Sequence, residues 1–177
     1  MNHDSYADPY IASILAEAKT IAMVGASAAS NRPSSFAMKY LLGKGYAVIP
    51  VNPTLTGQEI QGRKVFAALA DVPGPVDIVD IFRNSAAALD VVRDAIRLKD
   101  KLGIKVIWMQ LGVRNDQAAA EAEAAGLKVV MNRCPKIEYG RLSGEIGWAG
   151  VSSGTLSSKR PLLGGRGVQN HVIAPKR

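Results

Sequence analysis

Between an apolar run ending at Val24 and a helical pattern opening near Ser34, the chain reads GASAASNRPSS. One glycine, four serines, Asn31 and Arg32 ahead of a helix N-terminus suit an anion. The first amides of a helix lack intrahelical partners, the helix dipole favours negative charge there, and a guanidinium fork matches phosphate oxygens. Arg83, directly after the run VDIVDIF, offers a second guanidinium, and Phe82 or Trp108 a flat apolar face. Trp108 lies inside the apolar run IKVIWM and reads as core. Arg63 and Lys64 read as a surface turn. The loop fails as a dinucleotide fingerprint, since G-x-G-x-x-G would put glycine at Ser27 and Ser30. The second strand also ends in Pro50-Val51-Asn52-Pro53, with no acid to hold a ribose hydroxyl, so NAD is disfavoured. No Gly-Lys-Ser or Gly-Lys-Thr triplet marks a nucleotide hydrolase loop.

Groups that could perform catalysis are sparse. His3 and His171 fall in terminal segments, where a buried general base is hard to build, so a Ser-His-Asp triad is not expected. Cys134 precedes a possible helix start at Pro135, a setting that can lower a thiol pKa. A lone cysteine is more often a small buried hydrophobe. Asp77 and Asp80, three apart on one strand, point to opposite faces and form no carboxylate pair. Asp80, near the strand's carboxyl end, is left to contact a ligand or neighbouring loop amides. No His/Cys cluster has metal-ligand spacing.

The elements that must position these loops alternate between β-rich runs and helical patterns from Thr20 to Leu142. Strands are expected at Thr20 to Val24, Ala47 to Val51, Val76 to Phe82, Ile104 to Met109 and Leu127 to Met131. Helices are expected at Tyr10 to Lys19, Ser34 to Lys44 with Ser34 as N-cap, Ser85 to Lys99, Asp116 to Ala125, and from Pro135 toward Leu142. In the third of these Leu89, Val92 and Ile96 form the buried stripe. A small hairpin around Gly62 and a short helix fill the stretch to about Ala70. The fold class is α/β, a single Rossmann-like, doubly wound parallel sheet of about five strands, with expected order 3-2-1-4-5. Ligands of such sheets bind beyond the carboxyl ends of the strands, where the winding reverses.

The 177 residues, 47% hydrophobic and 21% charged, suit one core with appendages. They divide into a lead-in helix over 1–19, a domain over 20–142, and a basic, flexible extension over 143–177. The net charge is +7. After Glu145 no acid occurs, and Lys159, Arg160, Arg166, Lys176 and Arg177 supply +5 of that total. A solvated end is the commoner reason for such a tail, and without zinc-finger spacing, an aromatic stacking motif or a basic helix in the body, nucleic acid is an unlikely partner. No apolar run reaches the ~18 residues of a membrane span, and the N-terminus lacks a secretion signal. A cytoplasmic location is expected, and one cysteine permits no intrachain disulfide.

The segments VGAS and NRPS, GYAVIPVNP, GRKVFAALADVPGPVDIVDIFR, IWMQLGV and VVMNRCPKIEYGRL, in this order, resemble the coenzyme A-binding proteins. Their fold is similar to the N-terminal domain of the succinyl-CoA synthetase α-subunit. The resemblance covers Thr20 to Leu142. It implies that the loop carrying Gly25, Ala26, Ser27, Asn31, Arg32 and Ser34 surrounds the phosphates, and that Asn52 and Pro53 line the adenosine side. Phe82 and Arg83 and the Met109-Gln110-Leu111 turn would wall the remaining cleft. The synthetase works through a phosphorylated histidine in a second domain, which has no counterpart here. The expectation is a protein that binds coenzyme A or an acyl-CoA without catalytic machinery of its own. The alternatives are a partner-dependent subunit of an acyl-CoA-using enzyme, an NAD(P)-binding oxidoreductase-like protein, or a nucleotide-binding regulator whose basic tail contacts RNA or another protein. A homo-oligomer is possible through Gly144 to Gly154 with Trp148.

Overall fold

A computed structural model describes residues 1–145. The expected extension from residue 146, with Trp148, His171 and the five tail cations, lies outside the described residues. Five parallel strands form the central sheet: β1 (Thr20–Val24), β2 (Ala47–Val51), β5 (Ile78–Ile81), β6 (Val106–Met109) and β7 (Lys128–Val130). They are mostly apolar because helices cover both faces, the exceptions being Thr20 and Lys128 at the strand starts and Asp80 inside β5. On one face lie α1 (Asp8–Glu17), α2 (Pro33–Gly43) and α5 (Pro135–Leu142), packed around Met23, Met38, Leu41 and Trp108. On the other lie α3 (Ser85–Leu102) and α4 (Asp116–Ala124), packed around Val79, Val92, Ile107 and Ala122. Trp108 is fully buried, its indole N–H donating to the Arg133 carbonyl at 2.8 Å.

The strand order is β2-β1-β5-β6-β7, which in chain order is 2-1-3-4-5 and corrects the expected 3-2-1-4-5. The connection out of β2 explains the difference. It holds no long crossover helix, only a 3-10 turn at Pro53–Leu55, the small hairpin β3 (Glu59–Ile60) and β4 (Arg63–Lys64), and a second 3-10 turn at Leu69–Asp71. Phe66 in this connection occupies the free edge of β2, donating to the Pro50 carbonyl (3.0 Å) and accepting from the Asn52 amide (2.9 Å). The next strand then pairs with β1 on its other side, from Ile21 opposite Ile78 to Val24 opposite Ile81. The reversal of winding accordingly falls between β1 and β5.

At the opposite edge, tyrosine hydroxyls stand in for a sixth strand. Tyr10 Oη donates to the Val129 carbonyl (3.1 Å) and accepts from its amide (3.2 Å), while Tyr6 Oη accepts from the Met131 amide (2.7 Å). The two rings stack at 5.9 Å. Helix α1 begins two residues earlier than the sequence suggests, with Pro9 in its first turn. In α3 the buried positions are Ala88, Val92, Ala95 and Leu102, with Leu89 and Ile96 only partly buried against the core.

Candidate functional site

At the carboxyl ends of β1, β2 and β5 three loops meet on Gly25. Its amide donates to the Val51 carbonyl at 2.9 Å, and its φ is +89°. A Cβ there would stand 2.6 Å from the Phe82 carbonyl oxygen and 3.1 Å from Arg83 Cδ. Only glycine allows both this φ and this approach of backbone to backbone. Asn52 ties the same loops together, its Nδ2 donating to the Ala26 carbonyl (2.8 Å) and its Oδ1 accepting from the Thr54 amide (3.0 Å).

Ser34 is not the N-cap of α2. Arg32 holds that position, without a side-chain cap bond, and the buried Ser34 hydroxyl accepts instead from the Ser27 amide at 3.1 Å. Ser27 Oγ in turn accepts from the Ala29 amide (3.2 Å). The loop is thus folded by its own hydroxyls. The exposed amides of Ala28, Ser30 and Asn31 make no hydrogen bond among the described residues. Arg32, Asn31, Pro53 and Arg83 are exposed around them, and Phe82 is half-buried.

Two hollows flank this loop. One, of about 290 Å³, lies on the α3 side between Gly25, Pro53, Ala68 and Arg83. The other, of about 320 Å³, lies between the first turns of α2 and α5 and is lined by Pro33, Phe36, Gln110, Leu111, Cys134 and Ile137. Met109 does not wall the cleft with its side chain, being fully buried in the α3/α4 core. A third hollow, of about 310 Å³, sits at the amino ends of the strands. Its three lysines are each paired, Lys105 with Asp77 at 2.8 Å, Lys99 with Asp100 at 3.1 Å and Lys128 with Glu17 at 3.6 Å.

Several features of the site leave little trace in local sequence. Asp80 is completely buried, and Gln110 Nε2 donates to both its oxygens, at 3.0 and 3.1 Å. Burial pushes this carboxyl up to about 8, with the Gln110 bond opposing. Its partner is therefore a side-chain amide, in place of the ligand or loop amides between which the sequence left the choice open. The Cys134 thiol is pushed up, not down. Burial dominates over the helix-start amides of Ile137 and Lys136. His3 is buried although terminal, with Nδ1 2.9 Å from Tyr6 Oη. Phe36, four residues before the buried Tyr40 on α2, is 53% exposed. Its position in the first turn places it at the mouth of the second hollow, a fact of tertiary placement that helical periodicity does not carry.

A CoA binding domain model matches residues 19–140. The protein YneT of Bacillus subtilis is 34% identical over 129 residues, which is 73% of this chain and 91% of that one. A solved structure from Pyrococcus horikoshii is 39% identical with a TM-score of 0.73, covering 80% of this chain and 96% of the other. The dinucleotide-forming acetyl-coenzyme A synthetase 1 of Ca. Korarchaeum cryptofilum, in complex with phosphate and ADP, is 26% identical with a TM-score of 0.53. That likeness covers 64% of this chain and 26% of the synthetase.

Proposed function

The chain belongs to the CoA-binding domain family, and from that premise we propose that it binds coenzyme A at the carboxyl edge of the sheet and performs no chemistry on it alone. The observation that carries the reading is the Gly25 junction, where a loop with unpaired amides lies between two hollows. Coenzyme A has a polyanionic middle and two unlike ends. The diphosphate would lie on the amides of Ala28, Ser30 and Asn31 with Arg32 as counterion. The adenosine end would take the hollow lined by Pro53 and Arg83, where the guanidinium can reach the 3′-phosphate. Asn52 acts as a positioning residue, since its amide is spent on Ala26 and Thr54.

Supporting a binder rather than an enzyme, Asp80 is buried behind Gln110, and His3 is engaged with Tyr6 on the N-terminal segment along the β7 edge. A second reading, a subunit that presents CoA to a partner chain, draws on the likeness to about a quarter of a synthetase. Thioester turnover that appears only when a partner is added would favour it.

The test is calorimetric titration of ligand-free protein with CoA, dephospho-CoA and NAD. The expected result is micromolar CoA binding that weakens without the 3′-phosphate, while binding of NAD but not CoA would overturn the proposal. Arg32→Ala should cost CoA about tenfold more affinity than pantetheine, because the lost bond is to a charged oxygen. Equal losses would remove Arg32 from the phosphate site.

A further inference from the structure

Four large apolar side chains among the described residues are exposed: Met1, Phe36, Leu111 and Ile137. Three of them line the hollow between α2 and α5, at 53%, 62% and 41% exposure. They come from three separate loops or helix starts, so sequence proximity does not explain the cluster. Apolar side chains gathered at one concavity mark a binding surface more often than scattered ones do. At about 320 Å³ the hollow lies at the small end of ligand sites.

Its polar groups are already occupied. Gln110 Nε2 donates to both Asp80 oxygens, and its Oε1 accepts from the Leu111 amide at 3.4 Å. Lys136 Nζ rests over the rings of Phe36 and Tyr40, 5.9 Å from each centroid. Lys136 is the one charged group of the lining, and it faces aromatic rings across a wall that is otherwise mostly apolar. The hollow also adjoins the anion loop, because Pro33 and Phe36 share the first turn of α2 with Arg32 as its cap.

We propose that this hollow seats the apolar acyl group of a short-chain to medium-chain thioester, so that the ligand is an acyl-CoA rather than free CoA. The inference rests on the CoA reading above. With adenosine in the α3-side hollow and the diphosphate on the loop, the pantetheine arm leaves the loop toward Phe36, Leu111 and Ile137. Each methylene of the acyl group then exchanges water for these side chains, and affinity rises with chain length until the hollow is full.

The experiment is calorimetric titration of the full chain with CoA, acetyl-CoA, butyryl-CoA, hexanoyl-CoA and succinyl-CoA. The dissociation constant should fall about threefold to fourfold per added methylene through hexanoyl, as expected for burying each one. Succinyl-CoA should bind more weakly than butyryl-CoA. Phe36→Ser and Ile137→Ser change exposed side chains and should flatten the dependence, bringing the hexanoyl-to-CoA affinity ratio close to one. A flat chain-length series with free CoA still bound overturns this inference and leaves the CoA reading standing. Failure of every CoA species to bind overturns the CoA reading itself. If either serine variant converts a dimer to a monomer while the chain-length dependence persists, the hollow is a contact between copies and the inference is likewise overturned. Tighter binding of succinyl-CoA would assign Lys136 to a carboxylate and overturn the apolar assignment.

Discussion

Asp80 occupies the place in the sheet where a charge is least tolerated. Its folded-state value near 8 lies far above that of an exposed carboxyl, so between about pH 4 and pH 8 the native chain holds a proton that the unfolded chain has released. Stability must then fall as pH rises through that window and level off above it. Asp80→Asn should remove the slope. In urea titrations from pH 5 to pH 8 the wild type should lose stability relative to the variant by on the order of 1 kcal/mol per pH unit. Parallel profiles would show that the carboxyl is already ionised below pH 5. Asp77 works in the opposite sense and outside this range. Burial raises its value, but the Lys105 bond and the Lys19 and Thr20 amides outweigh that and hold it below the usual carboxylate range, so its stabilisation is lost only as pH falls through the acid limb. Residue type and position sufficed to draw attention to Gly25, where φ is +89° and a Cβ would stand 2.6 Å from the Phe82 carbonyl oxygen. The Asp80–Gln110 pair was not legible, because it depends on the register that sets β5 beside β6, with Ile81 opposite Met109.

The strand and helix alternation was legible for a physical reason: strands covered on both faces read as largely apolar runs, and α3 starts and stops on Asn84 and Gly103, whose cap geometry their residue types favour. Strand order was not. It turned on Phe66 closing the edge of β2, an isolated bridge that no local pattern announces. The far edge is closed by a different device, and it can be tested alone. Tyr6→Phe and Tyr10→Phe keep the stacked rings and delete the hydroxyls that satisfy Met131 and Val129. Each should cost about 1 kcal/mol, and amide hydrogen exchange at Val129 and Met131 should accelerate ahead of exchange in β1 and β5. Uniform acceleration across the sheet would mean that the hydroxyls serve global stability and do not guard an edge.

At the scale of the whole molecule, most of the net charge is gathered at one end of the sequence. Deleting residues 155–177 removes five cations and no acid, taking the net charge from +7 to +2. The thermal midpoint should stay unchanged and CoA affinity should stay within twofold, since the Gly25 junction and both flanking hollows are built from residues before Leu142. Retention on immobilised RNA at physiological salt should be the same for both chains, and a loss on truncation would assign the tail to a polyanion. The sheet's two faces carry a further consequence. The α3-side hollow rests on the cluster around Val79 and Val92, and the α2/α5 hollow on the separate cluster around Met38 and Trp108. On the proposed reading, the ligand's adenosine handle and its variable cargo rest on different cores divided by the sheet, with the diphosphate loop between them. Mutations that retune cargo preference then leave the handle's grip intact, so descendants of this chain can change what they carry without relearning how to hold it.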